Sequence, residues 1–278
     1  MAITNFIPSV WSETLIRSLD KHYIGVAHCN RDFEGEIREK GNTVKVCGIE
    51  NVAVRDYVKN TDMSAADTLN DFSTDLLIDH AKYFNFQIDD VDRVQNTPKL
   101  MELAIQNAAA ALADEADKAV FDLCSKATLE YSNSEVYREN MLDCILEART
   151  LFYENNGARN EDIVLEVSPK LAERLMRAKA TSLSDNNEVY ENGCLGSIAG
   201  CKVYVSKNID RDQAGFDYPH IALMRTKRAV AFAEQISEIQ AYRPEKRFAD
   251  AIKGLHLYGC EIIYPKEFMT VSLQMMDY

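Results

Sequence analysis

The longest regular pattern of apolar residues in the chain lies between Thr97 and Ala127. Thr97 followed by Pro98 is a typical helix start, with a capping side chain before a proline in the first turn. Leucine, alanine and valine then recur at helical spacing as far as Leu123, and no glycine or proline interrupts them. The pattern predicts a single helix over 98–127, about 45 Å long at 1.5 Å per residue.

Two stretches before this helix alternate between apolar and polar residues with the period of a β-strand. The segments "NTVKVCGI" and "NVAVRDYV" lie within residues 31–60 and are bordered by Gly41, Gly48 and Asn51. They predict an extended hairpin that is too polar to form a core and therefore projects. Residues 73–95, "STDLLIDHAKYFNFQIDDVDRVQ", predict a further strand.

The middle of the chain mixes helical and strand patterns. Ser134 is in a position to cap a helix that runs to about Asn155, and Ser168-Pro169 begins another helix. Short strands are predicted in "DIVLEVS", "GCKVYVSKN" and "YPHIALMR", and two longer ones in "AEQISEIQAYR" and "FADAIKGLHLYGCEIIYP". The order of elements predicts an α+β fold in which residues 131–225 form a small layered domain.

The first 30 residues carry several large apolar side chains but little regular spacing. A helix is expected to begin near Pro8 or Ser9, and the only tryptophan, Trp11, lies within it. So many apolar groups near a terminus need a partner surface, either on the same chain or on a neighbouring one.

Composition narrows the classes of function. The net charge of −13 and the pI near 4.9 argue against a protein that wraps nucleic acid, because phosphate contacts need clustered lysine and arginine. This charge is consistent with a container that encloses DNA without binding it. No stretch approaches the roughly 20 apolar residues of a membrane helix. The first residues lack the pattern of a signal peptide, so we expect a cytoplasmic product.

Candidate catalytic chemistry is sparse. The seven cysteines form no C-x-x-C pair, and no G-x-S-x-G motif is present. Cys260 and His256 could form a nucleophile and base, but a lone strand histidine is far more often a packed residue. The acidic "IDDVD" and the glycine-containing "DRDQAG" and "NGCLGSIAG" lack the spacing of calcium or phosphate loops. We expect no catalytic, cofactor-binding or metal-binding residue and no cofactor.

A basic cluster near the C-terminus, formed by Arg243, Lys246 and Arg247, could bind a phosphate or a nucleotide. Because Glu245 lies within the cluster and the chain is acidic overall, salt bridges to a carboxylate surface are the preferred interpretation.

The order of these segments resembles the major capsid protein of tailed double-stranded-DNA bacteriophages, with the fold named after phage Hong Kong 97. The similar segments span nearly the whole chain. They are "NFIPSVWSETLIRSLDK", "RDFEGEIREKGNTVKV", "LLIDHAKYFNFQIDDVDRVQ" before the alanine-rich helix, "LGSIAGCKVYVSKNI" and "AVAFAEQISEIQAYRPEKRFADAIKGLHLYGCEIIYP".

The resemblance implies a division of the chain. Residues 1–30 would be an N-terminal arm and residues 31–72 an extended loop that reaches over a neighbouring subunit. Residues 73–130 and 226–265 would form a peripheral domain that contains the spine helix, 98–127. Residues 131–225 and 266–278 would form an axial domain. The residues expected at subunit contacts are Phe6, Ile7, Trp11, Arg55, Tyr57, Arg243, Lys246 and Arg247.

The resemblance also implies a function and partners. The chain would be a structural subunit, not an enzyme, that assembles with itself as hexamers and pentamers of an icosahedral shell in the bacterial host cytoplasm. A separate scaffolding protein and a portal are expected partners, and double-stranded DNA would be packaged into the virion without specific binding. Deleting residues 1–30 is expected to leave a folded lobe and abolish shells. An encapsulin-like nanocompartment and a soluble Cys/His-dependent enzyme are the alternatives.

Overall fold

The computed structural model describes most of the chain. The described residues are 7–32, 43–49, 56, 59, 71–89, 100–156, 162–178, 194–209, 219–246 and 248–276. The architecture is α+β, as the element order predicted. No described helix is both long enough and apolar enough to cross a membrane.

The helices and strands have the following bounds. The helices are α1 (Ile7–His22), α2 (Leu100–Asp122), α3 (Met141–Asn156) and α4 (Pro169–Arg177). The strands are β1 (Thr43–Ile49), β2 (Asp71–Leu77), β3 (His80–Asp89), β4 (Leu129–Val136), β5 (Ile163–Val167), β6 (Cys194–Ile198), β7 (Cys201–Val205), β8 (His220–Thr226), β9 (Val230–Tyr242), β10 (Ala249–Ile262) and β11 (Phe268–Met275).

The described strands form three sheets. The largest has the order β4-β11-β8-β5-β7-β6 and mixes parallel and antiparallel pairs. A second sheet has the antiparallel order β3-β10-β9, and β1 pairs with β2 alone. Strand β5 lies inside the six-stranded sheet and all five of its residues are buried, as the short apolar run "IVLEV" predicted.

Each sheet contributes to its own core. Helices α3 and α4 cover one face of the six-stranded sheet through residues such as Phe152 and Leu175. Helices α1 and α2 pack on the β3-β10-β9 sheet, where Leu15 and Leu19 of α1 are buried. Part of the apolar N-terminal region therefore finds its partner surface on the same chain.

The hairpin β1-β2 packs against the opposite face of the β3-β10-β9 sheet, through side chains that include Val44 and Leu257. The approach is close at Gly259, where an added Cβ atom would lie 2.2 Å from the carbonyl oxygen of Leu77. Only glycine lets the two backbones meet at this distance.

Four sequence predictions differ from the structure. The helix expected from Ser134 is wrong at its start, because residues 129–136 form β4 and α3 begins at Met141. Pairing of β4 with β11 overrides the capping signal, which is a local preference only. The described long helix spans Leu100–Asp122 and continues as a 3-10 turn, Leu123–Lys126.

The strand expected over 73–95 is two strands in different sheets, β2 and β3. In the predicted hairpin, "NTVKVCGI" does form β1, but its partner is β2. The prediction that this strand projects is wrong, because Val44 and Val46 are buried against the β3-β10-β9 sheet. The segment "NVAVRDYV", which was expected to pair with it, lies almost entirely outside the described residues.

Candidate functional site: anchoring of the N-terminal segment

Residues 23–31, here called the N-terminal segment, follow α1 and are mostly irregular in structure. They cross between α2, the six-stranded sheet and the β3-β10-β9 sheet. Backbone hydrogen bonds join Asn30 to β9, since Asn30 N donates to the oxygen of Val230 and Phe232 N donates to the oxygen of Asn30. Side chains from three elements complete the attachment.

The first attachment, here called the arginine anchor, consists of Arg225 on β8 and Glu166 on β5. Arg225 Nε and Nη2 donate to the two carboxylate oxygens of Glu166, each at 2.8 Å, and both side chains are fully buried. The same guanidinium donates to the carbonyl oxygens of His28 (2.8 Å) and Gly25 (2.6 Å). One side chain therefore joins the sheet to the N-terminal segment.

The charges of this pair depend on each other. Burial raises the pKa of the Glu166 carboxyl, and the Arg225 guanidinium counteracts part of this effect. Arginine remains protonated in proteins, so the bidentate pair keeps a matching charge beside Glu166. Removing either partner would leave an uncompensated buried charge.

The second attachment is Asp117 on α2, which accepts hydrogen bonds from Ile24 N at 3.0 Å and from Val26 N at 2.9 Å. Burial raises the pKa of Asp117 to about 6. Between the two bonded amides lies Gly25, where an added Cβ atom would come within 2.9 Å of the Phe121 ring. The glycine thus lets the segment approach α2 closely enough for both amides to reach Asp117.

The third attachment, here called the glutamate anchor, centres on Glu234 of β9. Its carboxylate accepts hydrogen bonds from Tyr23 Oη, from Arg31 Nη2 at 2.5 Å and from His256 Nε2 at 2.8 Å. Burial acts to raise the pKa of Glu234, but its hydrogen-bonded partners outweigh burial and lower it. Glu234 therefore joins both ends of the N-terminal segment to the sheet.

The glutamate anchor also includes His256, which the sequence analysis considered as a catalytic base. His256 is fully buried, its Nε2 atom contacts Glu234, and its Nδ1 atom has no hydrogen-bond partner among the described residues. Burial raises the pKa of the Cys260 thiol, which disfavours the nucleophilic thiolate. Burial also raises the pKa of Cys201 to about 11 and that of Cys124 to about 12.

The described residues contain no group of three or more histidine, cysteine, aspartate or glutamate side chains that could hold a metal ion.

The eight residues expected at subunit contacts fall into three groups. Phe6, Arg55, Tyr57 and Arg247 lie outside the described residues, as do the side chains of Ile7 and Trp11 within α1. Arg243 and Lys246 lie on the exposed turn between β9 and β10. Their role at a contact stays a prediction.

Sequence reasoning missed the anchoring residues Glu166, Arg225, Asp117 and Glu234. A signal was present for two of them, because Glu166 in "IVLEV" and Arg225 in "HIALMRT" are single charged residues in apolar strands. A charge at such a position is rarely buried without a partner of opposite charge. Their pairing could not be read from the sequence, since 59 positions separate them.

Several solved structures share this architecture. No protein-family model and no curated protein matches the chain. A solved structure from Mycobacterium phage Che8 is 28% identical in sequence, with a TM-score of 0.67 over 97% of this chain and 98% of that chain. The capsid structure of cyanophage P-SCSP1u is 13% identical, with a TM-score of 0.64 over 90% of this chain and 87% of that chain.

A virus-like particle from Pyrococcus furiosus is 12% identical, with a TM-score of 0.60 over 96% of this chain and 99% of that chain. The class defined by these likenesses is that of α+β proteins with a capsid-type fold. More narrowly, the chain has the phage major capsid protein fold, which confirms the resemblance found in the sequence.

Proposed function

We propose that the chain is the major capsid subunit of a tailed bacteriophage, which assembles with copies of itself into an icosahedral shell around double-stranded DNA. The observation that carries the proposal is the likeness to the Mycobacterium phage Che8 structure over nearly the full length of both chains. The proposed function is structural, and the assembled shell is a component of the virion.

The charge of the chain agrees with this role. A shell subunit contacts a densely charged polyanion without needing affinity for it, and the net charge of −13 disfavours phosphate binding. A scaffolding protein and a portal are the proposed partners during assembly.

The anchored N-terminal segment supports different roles for different parts of the chain. Residues 23–31 are held within the subunit by the three attachments, so they form a fixed base. We infer that residues 1–14 and the extended loop, 31–72, supply contacts to neighbouring subunits from this base. The loop would do so through residues other than Val44 and Val46, which pack within the chain. The domain boundaries taken from the resemblance belong to the same proposal.

An encapsulin-like nanocompartment shell is the second candidate. The likeness to the Pyrococcus furiosus virus-like particle, at 12% identity, is compatible with it, but the identity to the Che8 structure is higher. A soluble Cys/His-dependent enzyme is the third candidate, and the raised thiol pKa of Cys260 counts against it.

The test is expression of the chain alone and with its genomic neighbours, followed by light scattering and electron microscopy of the same samples. Closed shells, or closed shells only with a scaffolding protein, are expected. Shells that retain a co-expressed enzyme as cargo would favour the nanocompartment. A monomer under every condition would contradict both shell candidates, and turnover lost on thiol alkylation would then support the enzyme.

A truncation tests the role of the arm. The structure revises the deletion of residues 1–30, because that deletion would remove Leu15, Leu19 and Tyr23 from the core and expose the arginine anchor. Deleting residues 1–14 instead is expected to preserve the fold and reduce shell formation. Shells of normal yield from this truncation would contradict the proposed role of the arm.

A further inference from the structure

Helix α3 presents an acidic outer face with exposed apolar side chains. Its inner face is buried against the six-stranded sheet, while Asp143, Glu147 and Glu154 line the outer face together with Leu146 and Thr150. Leu142 and Leu146 are 37% and 40% exposed, although both are leucines on a helix that covers a core. The helix carries three carboxylates and one arginine, which gives it a net charge of −2.

Helix α4 presents the opposite character. It carries Lys170, Arg174 and Arg177 against a single carboxylate, Glu173, which gives it a net charge of +2. Arg138, just after β4, adds a further cation beside Arg174 and Arg177, around a small cavity between β4, α3 and α4. Met176 of this helix is 49% exposed.

The two faces share no residue, and each combines charge with exposed apolar groups. On the basic face, the ion pair of Arg177 with Glu173 is solvent-exposed, since the two side chains are 70% and 60% exposed. Exposed pairs of this kind contribute about 0–1 kcal/mol, so exchanging them for contacts with another molecule costs little. Both helices are fixed on one sheet, so the faces keep a constant orientation.

We propose that the acidic face of α3 (Asp143, Glu147 and Glu154) binds the basic face formed by α4 and Arg138 on a second copy of this chain. A two-fold symmetric contact through either face would set like charges against each other. A head-to-tail contact sets opposite charges together, and its repetition forms a ring where the rotation between neighbouring subunits closes. The contact rests on the proposed function, since it supplies the joint between neighbouring subunits of a capsomer.

The test uses three full-length variants with reversed charge. The first carries Glu147→Lys and Glu154→Lys, the second carries Arg174→Glu and Arg177→Glu, and the third carries all four substitutions. The matched controls keep the charge: Glu147→Asp with Glu154→Asp, and Arg174→Lys with Arg177→Lys. Circular dichroism checks folding, and native mass spectrometry with electron microscopy counts the subunits in each ring or shell.

The expected result has three parts. Each two-site reversal lowers the yield of rings and shells at least about tenfold, because like charges then meet at every contact. The four-site variant and the charge-keeping controls assemble as the unaltered chain does. An equal mixture of the two reversed chains assembles only into rings with an even number of subunits, since the two chains must alternate.

Two outcomes would overturn the contact. Shells of normal yield from either two-site variant would show that these faces do not meet. Loss of shells in the basic-face variant without rescue in the four-site variant would assign that face to another partner, such as an acidic scaffolding protein. In both cases the unaltered chain still forms shells, whereas a chain that never assembles contradicts the proposed function itself.

Discussion

The two faces of the six-stranded sheet are buried in different ways. Toward α3 and α4 the sheet presents apolar side chains, among them Leu165, Met224 and Val271. On the opposite face the alternate residues of the same strands include Glu166 and Arg225, which receive the N-terminal segment. Because side chains alternate between the two faces of a strand, a residue of the apolar core and a residue of the charged anchor are neighbours in sequence.

The difference matches what each face holds. Helices satisfy their own backbone hydrogen bonds, so α3 and α4 need only an apolar surface to pack against. The N-terminal segment is mostly irregular, and its carbonyl and amide groups need partners when buried. Arg225 and Asp117 supply those partners, and they thereby fix the position of the segment's residues relative to the sheet and to α2.

Breaking the arginine anchor is expected to give the largest effect. Arg225→Met leaves Glu166 as an unpaired buried charge and removes the donor to His28 and Gly25, which should lower the free energy of unfolding by about 3–5 kcal/mol. Chemical denaturation measures the loss. Hydrogen exchange should also become faster in residues 25–30 than elsewhere in the fold.

The control for this change is the double variant Glu166→Gln with Arg225→Met. It removes both charges and should recover part of the stability without restoring slow exchange in residues 25–30. Unchanged exchange in that segment in the single variant would contradict its anchoring by Arg225.

The neighbouring residue on β5 tests the apolar face. Leu165→Ala creates a cavity beneath α3 and α4, and should lower the free energy of unfolding by about 2–4 kcal/mol. Denaturation measures the loss, and hydrogen exchange should become faster in α3 and α4. Faster exchange confined to residues 25–30 would show that the two faces are not independent.

The pH dependence of the free energy of unfolding tests the role of Asp117 in holding the N-terminal segment. Its pKa of about 6 lies above the unfolded value of about 4, so the folded state binds the extra proton between these values. The stability contributed by Asp117 is therefore present below pH 4 and is lost as the pH rises through about 6, by about 3 kcal/mol. Asp117→Asn should abolish this fall, as measured by denaturation at several pH values.

A carboxylate on the same helix provides the control. Burial disfavours ionisation of Asp114, but hydrogen bonds from Asn208, Lys207 and Lys118 outweigh burial and lower its pKa. Its contribution is lost only as the pH falls below about 4, so Asp114→Asn should keep the slope between pH 4 and 6. An unchanged slope in Asp117→Asn would contradict the assignment.

The smallest expected effect concerns the start of α4 on the apolar face. Ser168 Oγ accepts a hydrogen bond from Leu171 N, and Ser168→Ala should lower the free energy of unfolding by about 1 kcal/mol. Thermal denaturation measures this change. Ser168→Asp, which keeps an acceptor at the cap, should stay near the unaltered chain, and an equal loss in both variants would exclude the capping role.

Local patterns predicted much of the fold. The strands in "IVLEV" and "GCKVYV", the start of α4 at Ser168-Pro169 and the two long closing strands all agree with the structure. In each case the spacing of apolar residues or a cap acts within one element, so neighbours in sequence carry enough information.

The failures share a physical cause. Residues 129–136 became a strand because β11, more than 130 positions later, offered a pairing edge. β1 took β2 as its partner, and the charges of Glu166 and Arg225 found each other across two paired strands. These choices depend on contacts between distant residues, whose free energies no local preference contains.

The amino-acid sequence alone therefore determined the class of fold, most of its strands and the capsid resemblance, because these depend on short-range patterns and their order. The tertiary structure decided how the N-terminal segment is held and which faces of α3 and α4 remain exposed. Both depend on burial, which is a property of the packed chain and not of any single segment.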